Sequence, residues 1–166
     1  PASPVVDGFP VDIDKSQLRE LLFIAKSRSD EQQAWNTLTV KVPEYAPWAV
    51  HGFTRMSEQY QKAQSLMNAP ENQYTQDDID KAASALNAVI NTMRPGNLPE
   101  IEDLDELQQL LDKARQLPEG DKTNRAISYA GMVIRYVSDG SGTIDMIQRA
   151  TKQLKEIIGN NNSENK

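Results

Sequence analysis

TQDDIDKAASALNAVINTM, residues 75–93, decides the fold. Its apolar residues Ile79, Ala82, Ala83, Leu86, Val89, Ile90 and Met93 recur at the spacing that keeps them on one face of a 3.6-residue helix. Asp78, Asp80, Lys81, Ser84, Asn87 and Asn91 take the other face. Thr75 is placed to cap the helix, because its hydroxyl can accept from a first-turn N–H that has no partner within the helix. Asp77 and Asp78 then set negative charge at the positive end of the helix dipole. Arg94 stands at the far end, and Pro95-Gly96 stops the element.

The pattern returns near the C-terminus in TIDMIQRATKQLKEII, residues 143–158. A shift of 68 residues carries Thr75 onto Thr143, Asp77 onto Asp145, Ile79 onto Ile147, Ala82 onto Ala150 and Leu86 onto Leu154. It also carries Val89 onto Ile157 and Ile90 onto Ile158. One cap, one first-turn acid and five apolar positions coincide, which marks an internal repeat of a helical unit.

Working outward, each repeated helix is preceded by two more. Leu18, Leu21, Leu22 and Ala25 form the stripe of a first helix over 14–26, with Asp14 or Ser16 to cap it. A shift of 89 residues sets them on Leu107, Leu110, Leu111 and Ala114 of a helix over 104–117. A long second helix over 47–69 carries Val50, Phe53, Tyr60, Ala63, Leu66 and Met67. Its counterpart over 122–137 carries Ile127, Ala130, Val133, Ile134 and Val137. The fold class read from this is all-α: two consecutive three-helix bundle units packed into an elongated domain. The first unit spans 14–94, the short semi-rigid linker 95–103 follows with two prolines and a glycine, and the second unit spans 104–158. Residues 1–13, with prolines at 1, 4 and 10, read as an extended lead-in, and 159–166 as a disordered polar tail.

The two shifts differ because the first unit carries roughly 20 extra residues between its first two helices, and such insertions map to loops. That inserted loop, 27–47, is the natural place to look for function. Within it TLTVKV, residues 37–42, alternates and is rich in β-branched residues, yet has no evident strand partner and reads as an extended connector.

The three-helix unit resembles a known family. Its Thr-capped last helix, with Tyr74-Thr75 followed by AASALNAVI at 82–90, is similar to that of the FIVAR ("found in various architectures") module. The two units together, about residues 14–158, would be a tandem of such modules. The second copy carries Thr151 and Lys152-Gln153 where small residues are usual in the family. The resemblance implies a spacer or a sugar- or protein-binding module of a large secreted or surface-attached bacterial protein, often beside carbohydrate-active modules. It implies no general catalytic residues.

Composition narrows the classes. The net charge is −6 and basic residues do not cluster, so nucleic acid and anionic membrane surfaces are disfavoured as partners. No apolar run approaches the ~20 residues that span a bilayer. Without cysteine there are no disulfides or thiolate metal sites. His51, the one histidine, has no nucleophile motif to serve and cannot by itself hold zinc. The acidic runs at Asp77, Asp78, Asp80 and at Glu100, Glu102, Asp103, Asp105, Glu106 lack calcium-loop spacing and sit at helix starts, where the dipole accounts for them. Asp139-Gly140-Ser141-Gly142 has no following Lys-Ser/Thr and reads as a turn. No enzyme, metal or cofactor is expected.

What remains is the aromatic content in or beside the inserted loop: Trp35, Tyr45, Trp48, His51 and Phe53. Two readings compete. Trp48 and Phe53 plug the bundle and Trp35 caps its end, or Trp35, Tyr45 and Trp48 form a ligand-binding surface for a sugar ring or a protein. The function expected is a non-catalytic extracellular spacer or binding module at a bacterial cell surface, monomeric, tethered through its N-terminus, contacting polysaccharide or protein through those aromatics. The alternative is an intracellular helical adaptor that takes a partner helix in an interhelical groove.

Overall fold

The computed structural model of the protein describes the backbone at 5–6, 9–10 and 12–164, and the side chains over 12–161. Most of the expected lead-in, with its tethering role, lies outside the described residues. Its described part is a two-residue antiparallel ladder in which β1 (Val5–Val6) pairs with β2 (Phe9–Pro10). The rest is helical: α1 (Ser16–Asn36), α2 (Val50–Asn68), α3 (Gln76–Thr92), α4 (Asp105–Ala114), α5 (Asp121–Ser138) and α6 (Ile144–Glu164). The chain divides into two compact units, Pro1–Gly96 and Asn97–Lys166.

In the first unit α1, α2 and α3 pack on one another. They enclose a core of Leu18, Leu21, Leu22 and Ala25 from α1, Met56 and Ala63 from α2, and Ile79, Ala83, Leu86 and Ile90 from α3. The repeated helix begins as its sequence requires. The N–H of Asp78 donates to Thr75 Oγ1 at 3.2 Å and the N–H of Thr75 donates to Asp78 Oδ2 at 2.8 Å, a reciprocal capping box. The Thr75 backbone N–H, and after it the Thr75 hydroxyl, hold the Asp78 carboxyl below its ordinary pKa. Before α1, Asp14 accepts from the N–H and the hydroxyl of Ser16 at 2.9 and 2.7 Å, while the N-cap residue Lys15 makes no side-chain capping bond. The Gln76 amide then ties the two helix starts together: it accepts from the N–H of Asp14 at 2.7 Å and donates to the Asp14 carbonyl at 2.9 Å.

In the second unit α4, α5 and α6 pack on one another. Their core is Leu107, Leu111 and Ala114 with Ala126, Ala130, Val133, Val137, Ile147, Ala150, Leu154 and Ile157. The repeat therefore reaches the packing. Ile79 and Ile147 are both buried, as are Leu86 and Leu154, and the N–H of Met146 donates to Thr143 Oγ1 at 3.1 Å, echoing the Thr75 cap. Between these anchors the buried face turns slightly: α3 buries Ala83 and Ile90, whereas α6 buries Ala150 and Ile157, which correspond to Ala82 and Val89.

Four expectations are corrected. The first helix does not stop at residue 26 but runs to Asn36, so half of the expected loop 27–47 is helix. Past Ala25 no residue of it is fully buried, and its second half is held by local pairs such as Lys26–Asp30 at 2.6 Å, by helix-favouring Glu, Gln and Ala, and by bonds linking Arg28 and Gln32 to the rest of the unit. Val50 is exposed rather than part of the α2 stripe, and Met56 takes the buried place. The linker is partly ordered, with a 3-10 turn at Ile101–Leu104 that begins in its own capping box between Glu100 and Asp103. The tail is not disordered where it is described, because α6 continues to Glu164.

Candidate functional site

The feature that folding alone leaves unexplained is the segment joining α1 to α2. Residues 36–45 are exposed throughout, and the apolar ones stand well out: Leu38 50% exposed, Val40 82%, Val42 43%, Tyr45 77%, and Val50 at the start of α2 72%. Single exposed apolar side chains are ordinary, but here five fall within thirteen positions of one connection.

Both ends of the connection are fixed. Where α1 ends, the N–H of Thr37 donates to the Gln33 carbonyl at 3.2 Å and its hydroxyl to the Ala34 carbonyl at 2.8 Å. At the other end, a 3-10 turn at Pro43–Tyr45 leads into a backbone clasp. The N–H of Ala49 donates to the Arg94 carbonyl at 2.8 Å, and the N–H of Gly96 to the Ala46 carbonyl at 3.0 Å. Gly96 is required by this approach, since a Cβ there would lie 2.5 Å from the Ala46 oxygen. Trp48 completes the attachment. It is half-buried against the first core, its N–H donates to Gln32 Oε1 at 3.2 Å, and the Arg28 guanidinium lies 4.4 Å from its ring centre. Arg28 also donates to the Ile90 carbonyl at 2.8 Å. One arginine thus joins α1, the end of α3 and the loop.

The three aromatic residues expected to bind ligand have different settings. Trp48 is an anchor, packed against the core and faced by Arg28. Trp35 is half-buried in the last turn of α1, with Lys41 Nζ 5.7 Å from its ring centre. Tyr45 alone presents its ring freely to solvent. The exposed aliphatic residues beside it were not singled out by aromatic content, although the alternation in residues 37–42 was the signal that could have found them.

The other candidates resolve into structure. His51 is exposed in the first turn of α2. Asp77 pairs with Lys81 at 2.9 Å, Asp80 accepts from Gln76 Nε2 at 3.0 Å, and Glu106 pairs with Lys155 at 2.8 Å. Among the described residues, no group of three or more His, Cys, Asp or Glu is arranged to hold a metal ion. The 139–142 segment is a turn in which Gly140 and Gly142 take positive φ, 92° and 85°, while the N–H of Ser141 donates to the Tyr136 carbonyl at 2.8 Å. The second unit has an open groove of about 780 Å³ between α4 and α5, whose lining includes Arg115, Gly131, Met132 and Arg135. Among the described residues no helix is long and apolar enough to cross a membrane. No protein-family model matches the chain, and neither a curated protein nor a solved structure matches it.

Proposed function

We propose that this chain is a non-catalytic binding module that engages a protein partner through the connection between α1 and α2. The observation that carries the reading is the exposed aliphatic run Leu38, Val40, Val42 with Tyr45 and Val50, set on a base that Trp48, Arg28 and the Ala46–Gly96 clasp hold in place. Sugar recognition needs bare aromatic faces for ring stacking. Here cations lie over Trp35 and Trp48, which leaves Tyr45 as the free ring. Aliphatic side chains gain instead by removal from water against another apolar surface. The setting, an extracellular or surface-attached bacterial protein with tandem FIVAR-like units, is the one that the resemblance in 82–90 implies.

A second reading, an intracellular adaptor that takes a partner helix, draws support from the groove between α4 and α5. A Cβ added at Gly131 would meet nothing within 4 Å, so a helix could approach closely there. Site-specific photocrosslinking in the native host separates the readings. p-Benzoylphenylalanine at Val40 is expected to give one discrete protein adduct and none at Gly131. An adduct at Gly131 alone would favour the groove. Adducts at neither, with Trp fluorescence quenched by a polysaccharide, would restore the carbohydrate reading.

A further inference from the structure

Resting on that reading, we propose that residues 37–42 dock by adding themselves as a strand to the exposed, lysine-bearing sheet edge of a partner protein. In TLTVKV the residues alternate, so an extended backbone sets Leu38, Val40 and Val42 on one face and Thr37, Thr39 and Lys41 on the other. The composition, with four of six positions β-branched, is that of a strand and not of a loop. Yet among the described residues nothing pairs with the segment. The backbone N–H groups of Thr39, Val40, Lys41 and Val42 donate to no carbonyl among the described residues, and the one ladder described, β1 with β2, is two residues long and pairs only with itself.

In the free chain Thr39 and Val40 form bends. Straightening them breaks no backbone bond donated by their N–H groups among the described residues and uncovers no core. Fully extended, six residues reach about 20 Å, a typical strand length. Strand addition then supplies two terms at once: main-chain hydrogen bonds for affinity, and alternate side chains for selectivity.

Charge identifies the occupant. Asp30 is paired with Lys26 at 2.6 Å, but the exposed Glu31 and Glu44 face no cation within ion-pair distance among the described residues. Lys41 lies over Trp35. With Lys41 counted, Glu31 and Glu44 leave the segment and its flanks with a net negative charge. Exposed sheet edges are commonly guarded by lysine, which these carboxylates complement. A second copy of this chain fits poorly, because it would bring the same carboxylates together on molecules of net charge −6 each.

The test uses the full chain and two synthetic peptides of equal positive charge: a lysine-flanked Thr/Val hairpin with one open edge, and a lysine-bearing amphipathic helix. Hydrogen exchange at residues 39–42 and fluorescence anisotropy of the labelled peptides are read. The expected result is saturable binding of the hairpin, with exchange slowed tenfold or more at Val40 and Val42, whose N–H groups share one edge, and the helix bound at least tenfold more weakly. Val40→Pro, which removes a ladder donor in an exposed segment, should weaken hairpin binding tenfold or more with the thermal midpoint unchanged, and Glu31→Lys with Glu44→Lys should also weaken it. Equal binding of both peptides, or hairpin binding indifferent to Val40→Pro, overturns strand addition. So does no binding of the hairpin by a chain that still gives the discrete adduct at Val40. Loss of that adduct instead overturns the protein-binding reading beneath it.

Discussion

Leu86→Ala and Leu154→Ala form a matched pair, since the two leucines occupy the same place in the repeat and both are fully buried. Each substitution removes a side chain from water-free packing and leaves a cavity that the neighbouring helices fill only in part. The expected cost is about 3–4 kcal/mol, within the range for buried leucines. A compact unit the size of Pro1–Gly96 is stable by roughly 5–14 kcal/mol, so that loss is a large share of the total. At about 4–8 °C per kcal/mol for 60–100 residues, the midpoint should fall by about 12–32 °C. The assay can tell the units apart, because both tryptophans, Trp35 and Trp48, belong to the first, while far-UV circular dichroism sees the helices of both. Each core is built solely from residues of its own unit. Leu86→Ala should therefore lower the Trp-detected transition, and Leu154→Ala should lower part of the dichroism transition and leave the Trp transition in place. If Leu154→Ala moved the Trp transition, or Leu86→Ala moved the whole of the dichroism transition, the picture of two separate cores would be refuted. A cost below about 1 kcal/mol for Leu86→Ala would refute the packing itself.

Two further outcomes follow from the anchors. Gly96→Ala places a methyl group 2.6 Å from the Ala46 Cβ and 2.5 Å from its carbonyl oxygen; the clasp should open at a cost of about 1–3 kcal/mol, seen as faster exchange of the Ala49 amide and a red shift of Trp48 emission. The pH dependence of the first unit has a definite sign. The folded-state pKa of Asp78 is lowered by Thr75 and that of Asp14 by Ser16, so their stabilisation is present above the unfolded value of 3.8 and is lost as pH falls through the lower folded values. Lys15 is raised by its bond to Glu71, 2.8 Å away, so its contribution is present below 10.5 and is lost as pH rises through the higher folded value. The Trp-detected midpoint should show an acid limb that flattens in Asp78→Asn and an alkaline limb that flattens in Lys15→Met.

The helical class, the repeat and most of the core were legible because burial repeats at the helix period. Ile79, Leu86, Leu107, Leu111, Ala130 and Leu154 are both periodic and buried. The second half of α1 was not legible from periodicity, since SRSDEQQAWN has no apolar stripe and forms helix through propensity and i,i+4 pairs. Tyr74, buried in the turn before α3 with Lys15 Nζ 5.1 Å from its ring centre, carries no periodic signal because it lies outside a helix. The clasp between Ala46, Ala49 and the 94–96 turn joins backbone groups almost fifty residues apart, and no side-chain pattern announces such a contact. For the loop, aromatic content drew attention to Trp48, which packing consumes, whereas aliphatic alternation marked the residues that stay exposed.

The apolar side chains of this loop are proposed to serve a partner and not the fold. Replacing Leu38, Val40, Val42 and Tyr45 together with Ser, then measuring the thermal midpoint and partner capture on the same sample, tests that directly. Because surface changes usually stay within about 0.5 kcal/mol of either sign, four together should amount to about 1 kcal/mol, so the midpoint should move by about 4–8 °C at most while capture falls tenfold or more. A midpoint lowered by 10 °C or more, or capture left intact, would contradict the claim.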